Sequence, residues 1–242
     1  MRARTGSTND DAREAALHGA PRGHVVVADT QEQGRGSHGR AWSSPAGVDL
    51  YLSIVERLPL EPAVLPTVTL AVGLGVTDAA RALLPELLAP RVRVKWPNDA
   101  WIDRRKVAGV LVESSSTGAS QGPVVIGIGL GVNRLSWPDE LAGQATSLLE
   151  VGRSLHPGRA PFDRNEVLAV LLESVEHAID ALLERGVSST IARLEERLAL
   201  VGEHVEVDGQ RGTLAGLTPS GGLRIADGQG ERVVFSGTLR PA

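Results

Sequence analysis

Only two lysines, Lys95 and Lys106, occur in a chain whose other cationic side chains are all arginines. Lys95 begins Lys95-Trp-Pro-Asn-Asp99, which gathers a cation, an aromatic ring, an amide and a carboxylate around one turn. Lys106 begins Lys106-Val-Ala-Gly-Val-Leu-Val-Glu113, a strand-like run in which Gly109 would let a ligand approach the backbone. Because an ammonium group is a compact and movable point charge, both lysines suit contacts with carboxylate or phosphate oxygens.

A second set of residues able to bind an anion lies in the loop Gly34-Arg-Gly-Ser-His-Gly39, followed by Arg40 and Trp42. Glycines allow backbone N–H groups to approach an anion, and Arg35 and Arg40 add charge-assisted donors. Trp42 is able to pack against a flat ring. The loop is therefore interpreted as closing over an anionic, nucleotide-like ligand, with an ordinary surface turn as the alternative.

The same glycines spell the dinucleotide-binding pattern G-x-G-x-x-G, but its required context is missing. That pattern needs a helix directly after the glycines, and Pro45 and Gly47 leave no room for one. The sequence also contains no cysteine, no H-E-x-x-H zinc motif, no G-x-S-x-G nucleophile elbow and no Walker A lysine. These absences argue against thiol, zinc-hydrolase and P-loop chemistry.

Hydrophobic periodicity and turn signals predict an α+β fold with a mixed sheet flanked by helices. The predicted strands cover residues 24–29, 50–56, 92–95, 101–112 and 123–130, and the predicted helices cover 10–18, 67–84, 163–185 and 188–198. From Val201 the chain alternates apolar and polar residues between turn signals, which predicts four or five short strands in a small barrel. The predicted domains are residues 1–198 and 199–242.

The composition limits the function further. The 242 residues include 29 acidic and 25 basic side chains, so general binding to polyanions is not expected. The first residues lack the apolar core of a signal peptide, and no apolar run reaches the roughly 18 residues of a membrane helix. We expect a cytoplasmic protein that does not associate with membranes.

Taken together and in this order, six motifs resemble those of the biotin protein ligases, in the monofunctional form without a DNA-binding domain. The motifs are Gly6-Ser-Thr-Asn-Asp10, the segment from Gly34 to Gly47, the two lysine motifs, Gly127-Ile-Gly-Leu-Gly-Val-Asn133 and Ala145-Thr-Ser-Leu148. The resemblance covers nearly the whole chain. It implies a catalytic domain like that of class II aminoacyl-tRNA synthetases, followed by a C-terminal SH3-like barrel.

The resemblance implies a two-step reaction with ATP, Mg²⁺ and biotin. Biotin and MgATP would form biotinyl-5′-adenylate and pyrophosphate, and a lysine of the biotin carboxyl carrier domain of an acyl-CoA carboxylase, such as acetyl-CoA carboxylase, would then attack the adenylate. No DNA binding is expected, because the helix-turn-helix of bifunctional relatives has no counterpart in the sequence. A homodimer is the candidate assembly.

By resemblance, each site residue is expected to take a particular role. Lys106, Arg35, Arg40 and Lys95 would be catalytic. The residues expected to contact biotin are Ser7, Thr8, Asn9, Gln31, Arg35, Gly36, Ser37, Lys106 and Gly109. The residues expected to contact ATP or the adenylate are Arg35, Arg40, Trp42, Lys95, Asn98, Lys106 and Gly131, and Asp99 would contact Mg²⁺. Helix capping is the alternative role for Ser7 and Asn9.

Three departures from the family pattern carry their own expectations. The family loop usually has Arg at the position of Ser37, so faster escape of the adenylate is expected. The glycine strand usually ends with Asn at the position of Gly131, so one adenine contact would be lost. Only six residues precede Ser7, where the family has a strand, so the expectation is either that the sheet lacks one edge or that the given start is late.

Two competing functions remain open at this point. A lipoate ligase or lipoyl transferase would share the fold and the adenylate chemistry. A non-catalytic biotin or adenylate sensor would bind biotin without releasing pyrophosphate, an alternative that Ser37 and Gly131 motivate.

Overall fold

The computed structural model describes residues 1–61, 64–117 and 120–242. The chain forms four helices and eleven strands within those ranges. In chain order they are α1 (Thr8–Leu17), β1 (His24–Ala28), β2 (Leu50–Glu56), α2 (Leu65–Leu83), β3 (Val92–Lys95), β4 (Asp99–Ile102), β5 (Arg105–Thr117), β6 (Ser120–Leu130), α3 (Leu148–Leu155), α4 (Arg164–Glu195), β7 (His204–Val207), β8 (Gln210–Leu217), β9 (Leu223–Asp227), β10 (Gly230–Val234) and β11 (Leu239–Pro241). The predicted α+β fold is confirmed.

The chain folds into two compact units, each made of two segments. The first contains Met1–Leu65 and Arg105–Ala169, and the second contains Pro66–Arg104 and Val170–Ala242. This division does not fall near residue 199, because strands β7–β11 share a buried cluster with residues from earlier in the second unit. The boundary between residues 198 and 199 stays a prediction.

The first unit is built on an antiparallel sheet in which β2 pairs with β1 and β6, and β6 pairs with β5. Helix α1 covers one face, where Ala12 and Ala16 pack against Val26, Val55 and Val125. Small alanines on the buried face let the helix lie close to the sheet, which places its first turn directly over the strands.

The first residues of the chain add a parallel edge beside β1. Arg2 and Thr5 form parallel bridges with Ala28 and Gln31, and the N–H of Arg2 donates to the carbonyl of Val27 over 2.8 Å. The sheet is therefore mixed, and the expectation that it lacks this edge is wrong, since residues 2–6 supply the pairing.

The segment from Trp101 to Val112 is two strands and not the single return strand that the sequence predicts. Asp103 and Arg104 both adopt positive φ, 50° and 64°, so the chain turns tightly between β4 and β5. Two consecutive positive φ values are typical of a type I′ hairpin turn, which usually carries Asn or Gly. Because neither Asp103 nor Arg104 is Gly or Asn, the sequence carries no clear signal for this turn.

Sequence periodicity did not predict helix α3, but it did predict the interruption that the structure shows within α4. Ser147 begins α3, and its hydroxyl accepts a hydrogen bond from the N–H of Glu150 over 3.1 Å. Gly186 interrupts α4 with φ 78° and ψ 175°, which separates the two helices that the sequence predicts at 163–185 and 188–198.

In the second unit, β3 and β4 form a hairpin whose residues join the core of the C-terminal strands. The five-stranded antiparallel sheet has the order β10-β9-β8-β7-β11, which agrees with the predicted four or five strands of a small barrel. Trp96 is 1% exposed and its indole N–H donates to the carbonyl of Gly221 over 3.1 Å. Leu70 and Ile191 pack in the same cluster, so the barrel strands are tied to helices α2 and α4.

Two glycines in α2 give a matched test of packing in this unit. A Cβ at Gly75 would lie 2.8 Å from the carbonyl oxygen of Ser174 and 3.0 Å from the Cβ of Ala178, whereas a Cβ at Gly73 would meet only Pro97 at 3.9 Å. We expect Gly73→Ala to raise the free energy of unfolding by about 0.5–1 kcal/mol, because alanine is the better helix former. We expect Gly75→Ala to lower it by about 1–2 kcal/mol, because the helices must move apart.

Urea unfolding of both variants, followed by circular dichroism, measures these changes. Stabilisation by Gly75→Ala, whether or not Gly73→Ala also stabilises, would show that the close approach at Gly75 does not hold the helices together.

Candidate active site

The first unit brings together most of the predicted site residues. Helix α1 and its start supply Ser7, Thr8 and Asn9; the loop after β1 supplies Gln31, Arg35, Gly36, Ser37, Arg40 and Trp42; β5 supplies Lys106 and Gly109; and Gly131 directly follows β6. Lys95, Asn98 and Asp99 lie in the second unit at the β3–β4 turn. Their part in the site stays a prediction.

Glycines on the central strands create the space in which this site is built. Gly127 and Gly129 alternate along β6, and Gly109 of β5 is directly opposite Gly129. A Cβ at Gly127 would collide with the amide of Asn9, and a Cβ at Gly129 would collide with the indole ring of Trp42. A Cβ at Gly109 would lie 2.9 Å from Trp42 and from the side chain of Lys106. The glycines thus form a flat floor that any larger residue would fill.

Asn9 is held from both sides at the first turn of α1. Its side-chain oxygen accepts a hydrogen bond from the hydroxyl of Ser53 over 2.6 Å, and its side-chain nitrogen donates to Glu113 over 2.7 Å. Asn9 is 4% exposed and Ser53 is fully buried. Because a carboxylate only accepts and an amide oxygen only accepts, these two partners fix the orientation of the Asn9 amide.

Gln31 is fixed in the same way on the other side of α1. Its side-chain oxygen accepts from the N–H of Thr8 over 2.9 Å and from the Thr8 hydroxyl over 3.1 Å. Its side-chain nitrogen donates to the hydroxyl of Ser44 over 3.1 Å, and Ser44 donates to the carbonyl of Trp42. The two amides, each with one N–H proton beyond these bonds, give the pocket a defined pattern of donors and acceptors.

The alternative role of Ser7 and Asn9 as helix caps is not what the geometry favours. Ser7 occupies the N-cap position with extended backbone, φ −155° and ψ 132°, but its side chain makes no capping hydrogen bond with the residues described. Asn9 lies inside the helix and bonds to β2 and β5. Both side chains are buried at 4% exposure.

The glycine-arginine loop folds back on itself beside α1. Gly36 donates its N–H to the carbonyl of Arg40 over 2.7 Å, and Trp42 donates its N–H to the carbonyl of Gly34 over 2.8 Å. The exposed Arg40 turns back to Ser37, with its Nη2 3.1 Å from the Ser37 hydroxyl. The loop is therefore a small closed turn that holds Trp42 over the glycine floor.

Arg35 is paired with Asp10 in the first turn of α1. Two parallel hydrogen bonds of 2.7 and 2.6 Å join the guanidinium group to the carboxylate. The bonded Arg35 holds the pKa of Asp10 below its ordinary value, although partial burial opposes this, and Asp10 raises the pKa of Arg35. The pair ties the loop to the helix and keeps the guanidinium at the rim of the pocket.

Lys106 lies at the entrance to β5, with its ammonium nitrogen 5.0 Å from the centre of the Trp42 ring. Its backbone N–H donates to the carbonyl of Gln144 over 2.8 Å, and its carbonyl accepts from the N–H of Thr146 over 2.9 Å. These bonds fix the backbone of Lys106 while its side chain extends along the glycine floor. A mobile cation thus stands beside the aromatic ring, in position for an anionic group on a bound ligand.

Gly131 can contribute little to a ligand. Its N–H donates to the carbonyl of Val107, and its carbonyl accepts from the N–H of Leu148. A Cβ at this position would lie 2.6 Å from the carbonyl oxygen of Thr146. The adenylate contact of Gly131 stays a prediction. The only feature in its favour is the space left by the missing side chain.

In the second unit, the turn after β3 groups the other predicted residues. The ammonium group of Lys95 lies 3.6 Å from the carboxylate of Asp99 and 5.2 Å from the ring of Trp101. Lys95 and Asp99 are respectively 12% and 8% exposed in their side chains. The mostly buried Lys95–Asp99 ion pair therefore holds one cation and one carboxylate at the turn.

The predicted Mg²⁺ contact fits only as one carboxylate. Among the described residues, no group of three or more His, Asp or Glu side chains is able to hold a metal ion. Mg²⁺ usually retains waters and is held by one or two carboxylates together with substrate phosphates. The Mg²⁺ contact of Asp99 therefore stays a prediction.

Sequence reasoning assigned no role to four polar residues that complete the site, namely Asp10, Ser44, Ser53 and Glu113. One sequence feature could have identified Ser53. Apart from Tyr51, it is the only residue with a hydroxyl group in the mostly apolar segment between Leu50 and Glu56. Asp10 and Glu113 lie inside recognised motifs, but their partners become visible only in the folded chain.

The Arg35–Asp10 pair predicts a specific pH dependence of stability. Because the folded-state pKa of Asp10 is lowered, its contribution is present above the unfolded pKa, about 3.9, and is lost as the pH falls through the folded pKa. Asp10 is 45% exposed, so solvent limits the effect. We expect Asp10→Asn to lower the free energy of unfolding by about 0.5 kcal/mol at pH 7, with the difference shrinking as the pH falls below the unfolded pKa of about 3.9.

Urea titrations at several pH values from 7 to 3 test this, with Glu14→Gln as a matched control on the exposed face of the same helix. A difference between Asp10→Asn and the wild type that stays constant down to pH 3 would contradict a lowered pKa.

Comparison with known proteins gives a consistent result. The sequence profile of the biotin/lipoate A/B protein ligase family matches residues 2–133. The chain is 33% identical over 175 residues to the bifunctional ligase/repressor BirA of Escherichia coli, covering 72% of this chain and 51% of that protein. It is 38% identical over 179 residues to the biotin–[acetyl-CoA-carboxylase] ligase of Mycobacterium tuberculosis, covering 73% of this chain and 62% of that protein. The chain therefore spans about half to three-fifths of these two relatives.

Among solved structures, the biotin protein ligase of Aquifex aeolicus in complex with biotin and ATP is similar to the whole chain. The TM-score is 0.83 at 29% identity, covering 100% of this chain and 98% of that one. None of the helices in residues 1–61, 64–117 and 120–242 is long and apolar enough to cross a membrane.

The match over more than half of the chain, together with this fold and the ordered motifs, shows that the chain belongs to the biotin/lipoate A/B protein ligase family.

Proposed function

We propose that this protein joins biotin to a lysine of a biotin carboxyl carrier domain in two steps that consume ATP. In the first, an oxygen of the biotin carboxylate attacks the α-phosphorus of ATP, and pyrophosphate leaves. In the second, the deprotonated amine of the carrier lysine attacks the acyl carbon of the adenylate, the bond to AMP breaks, and an amide forms. The observation that carries the proposal is the meeting of fixed amides, Lys106 and Trp42 on one glycine floor in the first unit.

The pocket on α1 suits the ureido ring of biotin. That ring offers two N–H donors and one carbonyl acceptor, and the oriented amides of Asn9 and Gln31 and the hydroxyls of Ser7 and Thr8 provide both kinds of partner. Gly109 and Gly129 let Lys106 and Trp42 lie against the sheet, and the indole ring would give the fused rings and the carbon chain of biotin a flat apolar surface. Since the amides are already held, binding costs little reorganisation.

Cations address the main electrostatic barrier of the first step. The carboxylate and the α-phosphate are both negative, so they approach only where positive charge offsets their repulsion. Lys106 would contact both groups, and Arg35 and Arg40 of the loop would order the adenylate with Trp42. Lys95, Asn98 and Asp99 would contact the remaining phosphates and Mg²⁺. Positioning supplies much of the remaining rate enhancement, and the reaction requires no protein nucleophile.

The family also contains lipoate enzymes, so the acid substrate must be tested directly. Exchange of labelled pyrophosphate into ATP should depend on biotin and not on lipoate. Exchange that depends on lipoate would favour the lipoate ligase, and biotin binding with no exchange would favour a sensor.

Lys106→Arg should lower labelling of a carrier domain, with biotin and MgATP present, by at least about 100-fold. Arginine retains the charge, but its rigid fork does not occupy the position of the ammonium group. Gel detection of biotinylated carrier measures this loss, and the unfolding midpoint checks that the variant is folded. Labelling within about threefold of the wild type would remove Lys106 from the proposed chemistry.

Ser37→Arg should slow release of the adenylate about tenfold, because a cation in the loop adds a charge-assisted hydrogen bond to the phosphate. Ser37→Ala is the matched control, since it removes the hydroxyl contact with Arg40 without adding charge. Stopped-flow measurement of adenylate release compares the three proteins. An unchanged rate in Ser37→Arg would reject the expectation drawn from this departure.

A further inference from the structure

We propose that Glu113 is a positioning residue for ligand recognition, which acts by fixing the direction of the Asn9 amide. The proposal rests on the proposed function, because it concerns how the same pocket distinguishes the ureido group of biotin from similar groups.

The contact geometry places Asn9 between two partners on different strands. Ser53 of β2 lies on one side at 2.6 Å, and Glu113 of β5 lies on the other at 2.7 Å. Gly127 of β6 is directly opposite Ser53 in the sheet and leaves the gap that the Asn9 amide fills. The amide is therefore clamped across three strands at a buried position.

Glu113 is the partner that determines the direction of the amide. Ser53 can either donate or accept a hydrogen bond, so it would tolerate the amide in both orientations. Its hydroxyl also lies 2.8 Å from the Thr8 hydroxyl, which offers an alternative acceptor for its proton. A carboxylate accepts only, so rotating Asn9 by 180° would place two oxygens against each other with no proton between them. With Glu113 present, the Asn9 amide keeps one orientation, in which its nitrogen carries one N–H proton beyond the bond to Glu113.

Glu113 is itself held at the rim of the site. Arg13 lies 2.9 Å from its carboxylate and 3.0 Å from the carboxylate of Asp10, which pairs with Arg35 of the loop. The Glu113 side chain is 30% exposed, so substitutions there are less disruptive than in the core. Arg13 and Asn9 contact the same Oε2 of Glu113, so removing Arg13 tests whether the ion pair is needed to hold that oxygen beside Asn9.

Specificity is the property that this residue would control. A pocket that offers a fixed donor favours a ligand with an acceptor at that point, as in the urea of biotin. 2-Iminobiotin carries a protonated nitrogen, a donor, in place of the urea oxygen. If the amide of Asn9 were free to rotate, the preference for biotin over 2-iminobiotin would fall.

The experiment compares Glu113→Gln with Glu113→Met, two side chains of similar length that both lack an accept-only group. The Gln amide still bonds to Asn9 but allows either orientation, whereas Met forms no such bond. Arg13→Ala is the control that removes the ion pairs to Glu113 and Asp10 and leaves a carboxylate beside Asn9. KM values for biotin and ATP are obtained from pyrophosphate release, and dissociation constants for biotin and 2-iminobiotin from calorimetry. We expect Glu113→Met to raise the KM for biotin about tenfold, to lower the preference for biotin about tenfold and to leave the KM for ATP within about twofold. Glu113→Gln should also lower the preference for biotin, because its amide pairs with Asn9 in either orientation, and Arg13→Ala should stay within about threefold of the wild type.

Three results would overturn the proposal: a wild-type preference for biotin in Glu113→Met, a wild-type preference for biotin in Glu113→Gln, or reproduction of the loss by Arg13→Ala. The wild-type arm separates this from the parent proposal. If the wild type releases no pyrophosphate with biotin, the proposed function fails and takes this inference with it. If the wild type is active and the variants do not differ as stated, only the role of Glu113 is rejected.

Discussion

The site depends on one steric constraint, the absence of side chains at alternate positions of β6. Gly127 and Gly129 lie on the same face of the strand because side chains alternate with a period of two. Asn9 occupies the space above the first glycine and Trp42 the space above the second. Methyl groups at these positions would push helix α1 and the loop away from the sheet. The polar pocket and the aromatic cover would then no longer share one floor.

Given that floor, the polar residues form a chain of hydrogen bonds with few alternative arrangements. Asn9 and Gln31 each have partners at both ends of the amide, and α1 connects them through Thr8. A buried polar group without a partner costs about 1–3 kcal/mol, so a change in one member is felt by its neighbours. The same connections extend to the loop through the Arg35–Asp10 pair and the Ser44–Trp42 bond. A ligand that contacts the pocket therefore also contacts the network that holds its cover.

Local patterns predicted elements well wherever apolar periodicity and turn residues agreed. β2 and β3 have the predicted bounds, and α2 begins and ends within two residues of the prediction. The prediction failed at α3, which is only eight residues long, and at the Asp103–Arg104 turn, which uses residues that rarely adopt positive φ. For the site, the residues that the motifs indicated in the first unit lie in one region of that unit. The roles of Ser53 and Glu113 were out of reach, because their bonds to Asn9 join residues 44 and 104 positions apart.

Gly131 is a position at which the resemblance to the family does not predict the role of the residue. The family usually has Asn at this position, which suggested that this chain had simply lost an adenine contact. Here, however, a Cβ would point at the carbonyl of Thr146, 2.6 Å away, and would displace the segment that begins α3. Asparagine cannot be restored without moving that segment, because both the N–H and the carbonyl of Gly131 are also bonded to it or to Val107. The glycine and the close approach of Thr146 therefore belong together, and Gly131 has neither a side chain nor an unbonded N–H with which to contact an adenine.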